Sequence, residues 1–302
     1  MRIVYLLAQM LIFIALAPLA SGIITKIKNN LRFRRGPGIF QPYFNLAKYF
    51  MKDEVISDHT SWIFRAAPYI VFAATVSALA LVSFPFAGDF IVLIFLLSLG
   101  RFFLALAGLD AASAFGGMGS SREMFIASFV EPVVLLSILG VSLSAGTTNL
   151  SVVCGARAMT ISTFLAVIAL FLVTLAETSR VPVDNQETHL ELTMVHEAMV
   201  LEYSGRHLAM IEAAAALKLV FYFSLFSCLF IPFGMATTVR SFDALLIGFV
   251  AYLANIFALA VLLPIGETAV AKMRVFRYPV FLGGAFAAGA LAVFLLFVSR
   301  GS

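Results

Sequence analysis

Residues 158–177 read AMTISTFLAVIALFLVTLAE, an almost unbroken apolar run that ends at Glu177. A helix needs about 20 such residues to cross the hydrocarbon core of a bilayer. The next stretch, residues 177–205, reads ETSRVPVDNQETHLELTMVHEAMVLEYSG and holds six of the sixteen acidic residues of the chain. The sequence therefore predicts a membrane span that leads directly into an acidic segment, and we expect function to be concentrated there.

Seven further segments are long and apolar enough to span a membrane. They lie near residues 3–24, 68–87, 90–108, 123–144, 211–235, 242–266 and 279–299. A chain that is 62% hydrophobic and only 12% charged is not an ordinary soluble protein. Backbone groups in lipid must be satisfied within the segment, which favours helices. We predict an all-α integral membrane protein with about eight transmembrane helices in one polytopic domain, residues 1–302. The first segment is too long for a typical signal peptide and is predicted to be a retained span.

Basic residues are concentrated on one side of this predicted bundle. Fourteen of the twenty Lys and Arg residues fall on the connections after spans 1, 3, 5 and 7, and four fall on the opposite side. The remaining two, Arg101 and Lys218, lie in or near spans. Because positively charged connections stay in the cytoplasm, we expect the long connections to be cytoplasmic and both termini to be non-cytoplasmic. The predicted location is the plasma membrane, the inner membrane of a bacterium.

The first long connection contains a basic turn followed by an apolar pattern. Arg34 and Arg35 precede a Gly-Pro-Gly turn, and from Pro42 onward the residues are largely apolar at helical spacing, with Lys48 and Lys52 on the polar side. This pattern predicts an amphipathic connector helix that lies in the membrane interface. Two readings of the region stay open: simple positive-inside charge, or a docking surface for a soluble partner.

Two carboxylates are predicted at costly positions. Glu131 lies within the span at 123–144, directly before Pro132, and Glu177 ends the span at 158–177. A carboxylate inside a membrane must face a polar cavity or a partner. Ser120 or Ser121 is the expected N-cap of the helix that carries Glu131. The preceding glycines resemble a phosphate-binding loop but lack its Gly-Lys-Ser/Thr ending.

The acidic segment has a helical geometry if residues 184–202 form one helix. At 100° per residue its acids would share an arc of about 60°, with the histidines opposite. The acids are Asp184, Glu187, Glu191 and Glu202, and the histidines are His189 and His196. Clustered acids near a membrane favour proton uptake, and histidines extend a relay. A solvated polar loop is the alternative, and a metal site at the two histidines is a weaker one.

Several other kinds of site lack sequence support. The chain has no dinucleotide fingerprint, no phosphate loop and no cysteine cluster for an iron–sulfur centre. We expect no redox cofactor in this chain and no nucleic-acid partner. The two cysteines, Cys154 and Cys228, are far apart in sequence, and neither a disulfide nor a metal site is expected from them. Lys218 is expected to pair with an acid of the cluster or to extend toward the interface.

Three motifs resemble one known family along nearly the whole chain. RRGPGIFQP, the segment from SREM to Glu131, and AETSRVPVDNQETHLELTMVHEAMVLEYSG are similar to the membrane subunit shared by respiratory complex I (its subunit 1) and the energy-converting nickel–iron hydrogenases. Val183, Asn185-Gln186 and the immediate Glu131-Pro132 pair depart from the complex I pattern. At these positions the sequence resembles the pattern of the group that contains hydrogenase-4 component C and formate hydrogenlyase subunit 4.

The resemblance implies an anchor for a hydrophilic redox arm. Expected partners are small iron–sulfur and large hydrogenase-like subunits, which would hold the iron–sulfur clusters and nickel–iron centre, together with antiporter-like membrane subunits and the lipid bilayer. The implied acidic funnel for protons or sodium ions comprises Glu131, Glu177, Asp184, Glu187, Glu191 and Glu202, and Arg34, Arg35 and Arg180 match the docking contacts. Alternatives are a quinone-chamber subunit of a complex I-like dehydrogenase and a stand-alone secondary transporter. Quinone binding stays open.

Overall fold

The computed structural model describes residues 2–83, 89–155, 160–184, 194–230, 242–271, 273 and 277–301, and these form α-helices joined by turns and connections. No β-strand occurs in these ranges; Asp89 and Asn149 form an isolated bridge. The helices are α1 (Arg2–Leu31), α2 (Gln41–Phe50), α3 (Trp62–Ser83), α4 (Phe90–Asp110), α5 (Ala114–Ala145), α6 (Leu150–Gly155), α7 (Ile161–Glu177), α8 (His196–Val200), α9 (Gly205–Phe230), α10 (Phe242–Ala269) and α11 (Tyr278–Gly301).

The predicted all-helical membrane fold is confirmed. Seven helices are long and apolar enough to cross a membrane within the described part of the chain. The eighth predicted span corresponds to α7, which is apolar but has only 17 residues. Eight spans is therefore an approximate count. The chain is a multi-pass membrane protein.

Helix α9 lies at the centre of the packing. It contacts α1, α2, α3, α7 and α10, and its aromatic side chains Phe221, Tyr222 and Phe223 are buried. Helix α3 packs on α4, α4 packs on α5, and α11 packs on both α5 and α7. This arrangement brings α4, α5, α7 and α9 around one region, and these four helices carry the charged residues described below.

The long connections meet at one end of the bundle, which we call the connector end: residues 32–61, 111–113, 178–184 and 194–204. Asp110, at the end of α4, accepts hydrogen bonds from the backbone N–H of Ser61 and Phe64 at 2.8 and 3.3 Å. It thereby caps the first turn of α3, whose N–H groups have no partner within the helix. The backbone N–H of Val55 donates to Ser204 Oγ at 2.8 Å. These bonds join separate connections to each other.

The predicted amphipathic connector helix is present as α2, and none of its residues is buried. Phe44 and Phe50 are exposed, while the Tyr43 hydroxyl donates to the carbonyl of Ala15 in α1. The helix therefore lies on the outside of the bundle at the connector end. An exposed apolar side is typical of a helix in the membrane interface or under a partner.

Two local expectations were wrong. Helix α5 begins at Ala114, and Ser113 accepts from the backbone N–H of Gly116 as its N-cap, so Ser120 is an interior residue that bonds to Ala105 of α4. Cys228 is buried and disulfide-bonded. The distance between the two cysteines in sequence gave no sign of this bond.

Candidate functional site

Arg101 is the centre of a buried ionic cluster that four helices build. Its guanidinium reaches Glu123 at 3.5 Å and Glu131 at 3.2 Å, both on α5, and it also pairs closely with Glu177 at the end of α7. Lys218 of α9 contacts the second oxygen of Glu177 at 2.6 Å. We call these five residues the Arg101 cluster.

Burial makes the charges of this cluster strongly interdependent. The side chains of Arg101 and Glu177 are only 6% and 3% exposed. Moving two such ions out of water costs several kcal/mol each, and this is offset only when each ion keeps its partners. The cluster holds three carboxylates and two cations, so its formal charge is −1 when all five groups are ionised.

A small cavity adjoins the Arg101 cluster. It has a volume of about 60 Å³, and Arg101, Glu123, Glu177 and Lys218 all contribute to its wall. The space suffices for roughly two to four water molecules, and its polar lining offers them partners. His196, the first residue of α8, also lines this cavity. An ionisable side chain of the connector end therefore reaches the same space as the cluster.

The predicted continuous helix over residues 184–202 is wrong. Asp184 directly follows a turn at residues 181–183, and the only helix in the described residues of this stretch is α8, His196–Val200. Asp184 is buried and accepts from the backbone N–H groups of Val195 and His196 at 3.2 and 3.3 Å. Its carboxylate therefore satisfies free donors at the start of α8 instead of sharing a helix face with the other acids.

Glu197 follows His196 and has an altered proton affinity. Burial raises the pKa of the Glu197 carboxyl; the nearby His196 lowers it, and the negative charge of Asp184 raises it further. Glu197 therefore takes up a proton at a higher pH than an exposed glutamate does. Glu197 is one of the six acids in residues 177–205, but sequence spacing gave it no role of its own. Its environment depends on the packing of α8 against α5 and on Asp184.

Glu131 connects the cluster to the outer surface of the bundle. Its side chain is 44% exposed although it lies near the middle of a membrane-spanning helix. Ser98 Oγ donates to it at 2.8 Å. The neighbouring surface of α4 is apolar, with exposed Phe95 and Phe102. The exposed part of this carboxylate therefore lies among apolar side chains, where a charge is costly.

A second ion cluster lies where α1, α10 and the turn after α7 meet. Glu267 contacts Arg180 at 2.9 Å and Lys28 at 3.2 Å, and its side chain is fully buried. Arg180, predicted as a docking contact, thus has an internal partner and is only 13% exposed. Its docking role stays a prediction. Arg34 and Arg35 are exposed at the connector end, as a docking surface requires.

The other predicted site residues are distributed unevenly. Glu131 and Glu177 join the Arg101 cluster, and His196 lines its cavity. Glu202 is exposed in the turn after α8. Glu187, His189 and Glu191 lie outside the described residues.

Lys218 was expected to pair with an acid or to extend toward the interface, and it pairs with Glu177. Sequence reasoning gave Arg101 no role, although a lone cation inside an apolar helix is costly unless it is paired. The partners of Arg101 lie on other helices, so sequence spacing did not reveal them.

Glycines allow the close approach of the helices around the cluster. A methyl group on Gly116 of α5 would lie 2.3 Å from the carbonyl oxygen of Gly108 in α4. One on Gly119 would lie 2.9 Å from the carbonyl oxygen of Val195, just before α8. Small residues at such positions let membrane helices pack closely. Gly116 and Gly119, two of the glycines that resembled a phosphate-binding loop, are therefore packing positions.

Replacing Gly116 with alanine is expected to lower the free energy of unfolding by about 1–3 kcal/mol, because the backbones of α4 and α5 must separate. The matched control is Gly117→Ala, where the nearest atom to the added methyl group is 4.0 Å away. Thermal unfolding in detergent, measured for both variants and the parent, checks the difference. Equal melting temperatures for the two variants would show that the close approach has no energetic role.

The fold and the Arg101 cluster define a class: multi-pass membrane proteins with an ionisable interior that opens at mid-membrane depth. A family model described as NADH dehydrogenase matches residues 3–298, and the chain belongs to this family, that of NADH dehydrogenase subunit 1. The resemblance deduced from the three motifs is thus confirmed.

Curated relatives agree with that assignment. Hydrogenase-4 component C of Escherichia coli (strain K12) is 38% identical over 90% of this chain and 89% of the relative. Formate hydrogenlyase subunit 4 of the same organism is 32% identical over 91% of this chain and 92% of the relative. A subunit of the NADH-quinone oxidoreductase of Rubrobacter xylanophilus is 25% identical over 68% of this chain and 67% of the relative.

A solved structure has the same fold. It belongs to the membrane-bound sulfane sulfur reductase, an archaeal respiratory membrane complex, and matches with a TM-score of 0.80. The match covers 97% of this chain and 99% of the other, at 20% sequence identity. At this identity the likeness concerns the fold alone.

Proposed function

We propose that this chain is the membrane-anchor and ion-coupling subunit of a group-4-type hydrogenase or formate hydrogenlyase complex. The observation that carries the proposal is the Arg101 cluster, which extends from a polar cavity near the connector end to a half-exposed carboxylate on the outer surface. The relatives at 38% and 32% identity are hydrogenase-4 and formate hydrogenlyase components, which supports this kind of complex.

The connector end is the proposed attachment site of the redox arm. Exposed Arg34 and Arg35 offer positive charge to small and large hydrogenase-like subunits. We place this end in the cytoplasm and both termini on the opposite side, on the strength of the basic residues in its connections. The iron–sulfur clusters and the nickel–iron centre belong to the partners.

Ion coupling is proposed to follow the order of the charged groups. Proton uptake at the connector end reaches His196 and the cavity waters, then the Arg101 cluster, and leaves through Glu131 toward an antiporter-like membrane subunit. Between His196 and Glu131, each step joins groups that share a cavity or an ion pair in the described residues. Electron transfer in the arm would bias this path by changing the charge near the connector end.

Purification of the complex through a tag on this chain tests the proposal. We expect nickel and iron in the purified material and hydrogen production from a low-potential reduced dye. Metal analysis and gas measurement provide the readouts, and a preparation from cells that lack the tag provides the control. NADH-dependent quinone reduction by a nickel-free preparation would contradict the proposal and support the quinone-chamber alternative. Ion transport by the isolated chain in liposomes would support the stand-alone transporter.

A further inference from the structure

A second cavity, of about 250 Å³, lies between α1, α2 and α9. Its polar lining comes from Ser21, Thr25, Asn45, Tyr49, Arg180 and Glu212. It adjoins the cavity of the Arg101 cluster, since Thr178 lines both. Pockets for drug-sized ligands are roughly 300–1,000 Å³, so this volume suits a smaller group. The proposed ion path makes no use of this cavity.

The wall of this cavity carries one charge of each sign. Glu212 of α9 is exposed, and no salt bridge or hydrogen bond to it occurs among the described residues, although His196 and Glu197 are near enough to act on it electrostatically. Arg180 has Glu267 as its one carboxylate partner in the described chain, and Glu267 is shared with Lys28. Arg180 therefore keeps positive charge that is only partly matched. The cavity is dipolar, with a positive group and a negative group on its wall.

The depth of the cavity matches the headgroup region of a bilayer. Glu212 is the eighth residue of α9, about 10 Å along the axis from its first residue. Helix α2, which forms one wall, has the exposed amphipathic character of an interfacial helix, and such helices lie about 5–10 Å into the headgroup boundary. At this depth, lipid headgroups are therefore the most abundant candidate ligands for the cavity.

We propose that this cavity binds the headgroup of a zwitterionic phospholipid with a primary ammonium group, of the phosphatidylethanolamine class. The phosphate would accept hydrogen bonds from Arg180, and the ammonium would donate to Glu212. Both are charge-assisted contacts, which are about twice as strong as neutral ones. The headgroup of phosphatidylglycerol would place neutral hydroxyl groups, and no cation, beside Glu212, and a neutral ring would leave that carboxylate without a partner. The inference does not depend on the proposed function.

Lipid retention by the purified complex that contains this chain tests the site. The complex is stripped of lipid, exchanged into micelles with equal amounts of phosphatidylethanolamine and phosphatidylglycerol, and analysed by native mass spectrometry. We expect at least about tenfold enrichment of the ethanolamine lipid on the parent protein, and loss of that preference in Glu212→Gln. Asp58→Asn, the same acid-to-amide change at an exposed connector position, is the control and should keep it. Thermal unfolding of each variant establishes that it is folded.

Several results would overturn this proposal. They are equal retention of the two lipids by the parent, preferential retention of the glycerol lipid, and an unchanged preference in a folded Glu212→Gln variant. Displacement of the ethanolamine lipid by a water-soluble quinone analogue would also overturn it, because the cavity would then take a ring. None of these results bears on the nickel content or hydrogen production of the complex, so the two proposals fail independently.

Discussion

Arg101→Met is expected to lower the free energy of unfolding by about 3–5 kcal/mol, because Glu177, Glu131 and Glu123 would lose their shared cation in a buried position. Methionine approximates the length of the arginine stem, so the lost charge dominates the change. Arg101→Lys should be intermediate, since an ammonium cannot direct separate N–H groups at three carboxylates. Thermal unfolding in detergent and the yield of monodisperse protein provide the measurements.

Two further variants make this expectation decisive. Arg206→Met removes an arginine from an exposed position at the start of α9 and should change stability by less than about 0.5 kcal/mol. Arg101→Met combined with Glu177→Met should be more stable than the sum of the single changes predicts, because the stranded carboxylate is gone. An Arg101→Met protein as stable as Arg206→Met, or strict additivity in the double variant, would refute the role assigned to the cluster.

The sequence predicted the membrane fold well because the relevant signal is local. An apolar run such as residues 279–299 needs no partner to be recognised as a span, and α11 covers it. Glu131 was identified for a similar reason: a carboxylate within such a run is costly wherever the neighbouring helices lie. Its partners, Ser98 and Arg101, come from another helix and became known only through the packing of α4 on α5.

The acidic segment was predicted less well because its geometry depends on tertiary hydrogen bonds. Helical spacing placed Asp184 on one face with Glu202, whereas the fold uses the Asp184 carboxylate to satisfy the N–H groups of Val195 and His196. Arg122 of α5 donates to the carbonyl of Met194 at 3.0 Å, which holds the same segment from the other side. Neither contact has a signature in sequence spacing, because the donors and acceptors belong to separate elements.

Glu131→Gln is expected to reduce ion translocation at least tenfold while electron transfer to protons continues. Glutamine can still accept the hydrogen bonds that Ser98 and Arg101 donate to Glu131 at 2.8 and 3.2 Å, but it cannot take up and release a proton. The expectation rests on the proposed function. The purified complex in proteoliposomes, with an internal pH-sensitive dye and a parallel hydrogen assay, measures both activities in one sample.

Ser98→Ala separates titration from hydrogen bonding at this position. It removes one donor to the carboxylate but leaves the ionisable group and the Arg101 contact in place, so translocation should fall by much less than in Glu131→Gln.

Full translocation in Glu131→Gln would show that ions bypass this carboxylate. Loss of hydrogen production together with translocation would mean that Glu131 supports assembly of the arm and not the ion path. A selective loss of translocation therefore identifies the half-exposed carboxylate as the exit of the path, because no other acid of the Arg101 cluster is as exposed at mid-membrane depth.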